Sequence, residues 1–111
     1  MIEKTVLDYL ITALSPVPVV MEEPKDKVSK FVLIEKTGSG EDNHINSATL
    51  AIKSYDTSLY NAAQLNETVK AKMANIISLP EISACYLNSD YNYTDTTEKR
   101  YRYQAVFDLF Y

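Results

Sequence analysis

The chain has one histidine, His44, and one cysteine, Cys85, so few of its side chains could work as nucleophile or base. A general base needs a nucleophile within reach and a carboxylate to orient it. His44 follows Asp42-Asn43, and no Gly-x-Ser-x-Gly, His-Glu-x-x-His or Walker pattern accompanies it. It therefore reads as a solvent-facing histidine just past a turn. Cys85, between Ala84 and Tyr86, reads as a buried small hydrophobe with nothing nearby to lower its pKa. Glu22-Glu23 and Glu41-Asp42 are adjacent carboxylates, which do not form a spaced ligand set, and the calcium-loop pattern is absent. No catalytic residue, metal site or cofactor is expected. Asn66-Glu67-Thr68 and Asn92-Tyr93-Thr94 match the glycosylation sequon, and without an export signal they read as chance matches.

Lys99-Arg100-Tyr101-Arg102-Tyr103 is the one basic and aromatic cluster. Bases could stack on its tyrosines while arginines neutralise phosphate, as on a single-strand binding ribbon. Asp90, Asp95, Glu98 and Asp108 surround it, however, and cancel much of that positive field. Packing, in a strand whose wet face carries Arg100 and Arg102 opposite a tyrosine-lined inner face, or a protein interface is the better reading, and arginine and tyrosine are enriched at interface hot spots. The interface candidates are Tyr91, Tyr93, Arg100, Tyr101, Arg102 and Tyr103, with Val19 on an edge strand.

The 111 residues suit a single domain, 1–111. Eleven basic and fifteen acidic side chains give a net charge of −4, which argues against broad duplex-DNA binding. An apolar fraction of 46 % can fill a core. No apolar run approaches the ~18–20 residues of a membrane span, and the first residues lack the layout of a secretion signal. With one cysteine, a reducing cytoplasm is the expected compartment. Nine tyrosines and no tryptophan make the aromatic usage lopsided, and six of those tyrosines lie in the last stretch from Tyr86 to Tyr111.

Apolar spacing predicts a helix over 2–14, with Ile2, Val6, Leu10 and Ala13 inward and Lys4, Asp8 and Thr12 outward, ended by Ser15-Pro16. An edge strand over 17–21 follows, with a loop over 22–29 and a strand at 31–34 covered on both faces. Residues 37–43, with both glycines, read as a turn, and the next strand spans about 44–55. Asp56, Thr57 and Ser58 are candidate caps for a helix to about Ile77, with the inner stripe Leu65, Val69, Met73 and Ile76. Two long strands, about 82–93 and 100–111, close the chain. Their pairing is expected to place Tyr93 opposite Tyr101, Tyr91 opposite Tyr103 and Leu87 opposite Phe107, with the tyrosines on one face. At that length the 94–98 tip is expected to project from the body. The order α-β-β-β-α-β-β gives an α+β fold: a mostly antiparallel sheet of about five strands with two helices on one face.

Four segments together carry a resemblance: the opening helix, Phe31–Thr37, Ile45–Ile52, and the ending Leu87–Asp95 with Lys99–Ala105. In this order, over nearly the full length, the chain resembles the small tail-completion or tail-terminator proteins of long-tailed phages and Gram-positive prophages. The resemblance implies a non-enzymatic, virion-assembly role. Such proteins form a ring, usually hexameric, that stops tail-tube growth and meets the head connector. The implied partners are copies of itself, the tail tube protein and the head connector protein, with no membrane and no specific nucleic-acid binding. The implied location is the bacterial host cytoplasm during assembly and then the tail of the virion. A ring needs a heterologous contact between two different patches. The Pro18-bearing edge strand and the Tyr-rich hairpin are the candidates. A head–tail connector or neck protein is the alternative within this class. Outside it stands a monomeric module whose Tyr-rich hairpin grips a peptide or nucleic acid.

Overall fold

The computed structural model describes residues 1–26 and 28–111; Lys27, within the expected loop over 22–29, lies outside them. Helix α1 (Ile2–Ala13) buries Ile2, Val6 and Leu10, while Lys4 and Asp8 pair on its wet face at 2.6 Å. The edge strand β1 shrinks to Val19–Val20 and runs parallel to strand β2 (Phe31–Asp42). Pro18 fits there because only its carbonyl is used, accepting from the Val32 amide at 2.9 Å.

Strand β2 overturns the expected turn over 37–43. It continues through Gly38 and Gly40 to Asp42, and the connection is the two-residue loop Asn43-His44, with φ of 49° and 66°. Asp42 and Ile45 face each other across it, a type I′ geometry that suits the right-handed twist of a hairpin. Neither glycine has a positive φ. Twelve residues of partner strand, β3 (Ile45–Asp56), outweigh the local preference of a glycine-rich stretch for turns. His44 accordingly sits in the turn itself.

Helix α2 (Leu59–Met73) starts where the Ser58 hydroxyl accepts from the Asn61 amide at 3.1 Å. It stops four residues short of Ile77, and a separate 3₁₀ turn, Ile76–Ser78, follows. Strands β4 (Ala84–Asn92) and β5 (Tyr101–Phe110) complete a five-stranded sheet of order β1-β2-β3-β5-β4, antiparallel except at β1. The architecture is α+β. Both helices cover one face, where Leu10, Val69 and Met73 meet Leu50, Ile52 and Leu109. The opposite, open face has a smaller cluster of Phe31, Leu33 and Tyr55.

The terminal hairpin follows the expected register only as far as Leu87 opposite Phe107. Asn88 then bulges, so that Tyr91 faces Gln104 and Asn92 faces Tyr103. The expected pairs Tyr91–Tyr103 and Tyr93–Tyr101 do not form. The projection expected of the tip is short: Tyr101 lies level with Asp56 at the end of β3, so the 94–100 turn alone extends beyond, and Arg100 at its base pairs with Glu23. The exposed ribbon is at the other end, where every residue from Glu35 to Asn46 is exposed.

Candidate functional site

The bulge divides the expected tyrosine surface between two faces. Beyond Asn88 the strand gains one residue, which turns Tyr91 and Tyr93 to the open face. Tyr101 and Tyr103 share the alternation of Ala105, Phe107 and Leu109 and are half-buried on the helix face. Asp90 gains from this shift. Without the bulge it would oppose Gln104 on the open face. With it, Asp90 lies level with Ala105 and its Oδ2 accepts from Lys70 Nζ at 2.9 Å and from Asn66 Nδ2 at 3.1 Å. That pair of bonds clamps the edge strand to α2.

On the open face, Tyr55 stacks on Phe31 with ring centroids 4.4 Å apart. The Arg100 guanidinium lies 5.0 Å from the Tyr55 ring centroid and pairs with Glu23 at 2.6 Å. That bond, above all, raises the already high pKa of Arg100. Arg102 lies 4.4 Å from the Tyr93 ring, donates from Nε to the Tyr93 carbonyl at 2.6 Å, and from Nη1 to Tyr55 Oη at 3.2 Å. Gln104 Nε2 donates to Tyr91 Oη at 2.6 Å, and Lys53 Nζ donates to Glu35 Oε2 at 2.9 Å. Both arginines are thus already engaged within the chain. The layer braces the lower end of the sheet and presents Tyr91 and Tyr93 to solvent on its rim.

Val19 stands apart from these residues. Its side chain is in the main core beneath α1, and Val20 turns to the open-face cluster. Among the interface candidates, Tyr91, Tyr93, Arg100 and Arg102 come together on one face, while Tyr101, Tyr103 and Val19 do not join them.

Possible reactive groups lie far from any such convergence. His44 is exposed in its turn. Burial, helped by the Asp108 charge, pushes the Cys85 thiol up to about 11, which leaves it a poor nucleophile at neutral pH. Among the described residues no three His, Cys, Asp or Glu side chains are grouped to hold a metal. A groove of about 530 Å³ runs between α1 and Leu79–Glu81, and its Lys4 and Asp8 are spent on each other.

Surface features that sequence reasoning missed lie at the sheet edges. Tyr86, 61 % exposed, points to the open face of the outermost strand, and Leu87 is exposed beside it. The two glycines, spaced by two on one face of β2, were a legible signal of a bare strand edge. Asn66 falls in the buried spacing Ala62, Asn66, Val69 and Met73, a legible sign of an internal polar partner. No helix is long and apolar enough to cross a membrane, among the described residues. No family model matches the chain, and no curated protein sequence matches it significantly.

Proposed function

We propose that the chain is a non-enzymatic structural protein of the tail-terminator kind. It self-associates into a ring that caps a phage tail tube and meets the head connector. The observation that carries this reading is the free outer edge of β4. Strand β4 pairs only with β5, among the described residues, and its nine residues include no lysine and no proline. Lysine, proline, bulges and inward-pointing charges are the usual guards of an edge strand; on β4 the Asn88 bulge and the inward Asp90 guard the half beyond Leu87, and Ala84–Leu87 carry none of them. Here the edge instead presents exposed Tyr86 and Leu87 on either side of the sheet plane. An edge of that kind suits a protein that works by adding to another strand. The engaged arginines and the acidic balance also support protein contacts over nucleic acid.

In a host producing virions that carry this chain, removing its gene is expected to leave tail tubes of uncontrolled length without heads. Negative-stain electron microscopy reads this directly. Normal headed virions from the deletion would refute the assignment.

A further inference from the structure

Among the described residues, neither backbone conformation nor crowding requires glycine at Gly38. Its φ is not positive, so no side chain is barred by conformation. No heavy atom of the described residues beyond its chain neighbours lies within 4 Å of where a Cβ would stand. The shift in register beside it, between Lys36 and Gly38, requires no left-handed residue there. Gly40 differs, because a Cβ would come 3.2 Å from Ser47 Oγ. A glycine inside a strand weakens it and often marks a bulge or a close approach by a ligand or another backbone; the neighbouring shift does not need it, and close approach is the use that fits Gly38. Among the described residues the outer edge of β2 is free at this point, since β1 covers only Val32 and Leu33.

The register across the sheet identifies what approaches. Gly38 faces Thr49, Thr49 faces Asp108, and Asp108 faces Tyr86, so Gly38 and Tyr86 occupy one level on the same open face, at opposite edges. Strand β4 runs antiparallel to β5, β5 to β3, and β3 to β2, so β4 and β2 have opposite directions. Rotation about an axis along the strands preserves both direction and level. It therefore brings β4 of one copy antiparallel to β2 of the next, with the Tyr86 ring over the bare Gly38 backbone. Residues 84–89 carry no charge, and Lys36 opposite them is held by Glu3 at 3.7 Å, so no like charges meet. An aromatic ring covering a cross-strand glycine recovers the packing that the glycine lacks.

We infer that the β4 edge, with Tyr86 as knob, docks on the β2 edge at Gly38 of a second copy of this chain. This rests on the self-association proposed above and names its contact. The same geometry places Ser39 level with Cys85 through Ala48 and Leu109. Facing residues on neighbouring antiparallel strands stand about 4.5–5.5 Å apart at Cα, within reach of a disulfide.

The test mixes the wild-type chain, whose only thiol is Cys85, with a Ser39→Cys/Cys85→Ala variant under a mild oxidant. A covalent dimer is expected in the mixture and in neither protein alone. Light scattering runs in parallel on the wild type, on Gly38→Thr and on Tyr86→Ala. The wild type is expected to be multimeric, and both variants monomeric with the circular dichroism of the wild type. Gly38→Thr is expected to keep or raise the Tm, since its side chain enters open space. A multimeric wild type with no mixed dimer, or with Gly38→Thr still multimeric, overturns the edge assignment and leaves self-association standing. A wild-type dimer through Cys85 alone would indicate β4-to-β4 pairing and also overturns it. A chain that stays monomeric at millimolar concentration, with no mixed dimer, overturns self-association itself.

Discussion

Replacing Asp90 by alanine removes the acceptor shared by Asn66 and Lys70. Asn66 is 1 % exposed and its Oδ1 already lacks a partner, so the substitution strands the Nδ2 donor in the interior as well. A stranded buried donor costs about 1–3 kcal/mol. The Lys70 ion pair, partly screened by solvent, adds at most about 1 kcal/mol. The expected loss is about 2–3 kcal/mol, and at about 4 °C per kcal/mol for a domain of this size the Tm falls by about 8–12 °C. Urea and thermal denaturation followed by far-ultraviolet circular dichroism measure it. Asp90→Asn keeps an oxygen for Asn66 but gives up the charge facing Lys70, so its loss is smaller, about 1 kcal/mol. In a double-mutant cycle with Asn66→Ala, a coupling of at least about 1 kcal/mol is expected. If Asp90→Ala stays within about 0.5 kcal/mol of the wild type, or the two substitutions simply add, the clamp between the edge strand and α2 has no energetic content and the account of the bulge fails with it.

Arg102→Lys is expected to cost about 1–2 kcal/mol, nearly as much as Arg102→Ala, because lysine cannot both stack on Tyr93 and reach its carbonyl and Tyr55 Oη; a wild-type urea midpoint for the lysine variant would contradict this. Cys85, pushed from 9.0 to about 11, should react with a thiol reagent at pH 8 about 100-fold more slowly in the native chain than in urea, and equal rates would sink that reading. Above pH 10 the chain should lose stability. Hydrogen bonds from Lys70 to Asp90 and Glu67 raise the Lys70 pKa above 10.5, and burial raises Tyr9 above 10.0. Each folded-state value is raised, so each contribution is complete below the unfolded pKa and is lost as pH climbs through the folded one. A Lys70→Met/Tyr9→Phe variant should show a flatter Tm profile between neutral and strongly alkaline pH; an unchanged slope would rule this linkage out.

The helices and most strands were legible because their evidence is local. Ile2, Val6 and Leu10 repeat at helical spacing, as do Leu65, Val69 and Met73, and Ala48, Leu50 and Ile52 alternate as a half-covered strand must. Ser58 was one of three caps offered, and the chosen one depends on where β3 releases the chain. The glycine-rich stretch misled for the opposite reason. Its composition favours a turn, and only the presence of a long partner strand makes it extended. The tyrosine surface failed on one residue, because a bulge leaves no mark in an alternating pattern such as Tyr91-Asn92-Tyr93. With the bulge at Asn88, Asp90 meets Asn66 and Lys70, contacts between residues 24 and 20 positions apart that no local pattern records.

Composition and periodicity by themselves determined the fold class, the element order and the inward faces, since burying apolar stripes depends only on spacing along each segment. Tertiary structure alone decided which tyrosines share a face, that Val19 is internal, and that Gly38 and Tyr86 stand level at opposite edges of one sheet. Those facts are set by strand order and register, which sum small offsets across the whole sheet and so cannot be read from any single segment.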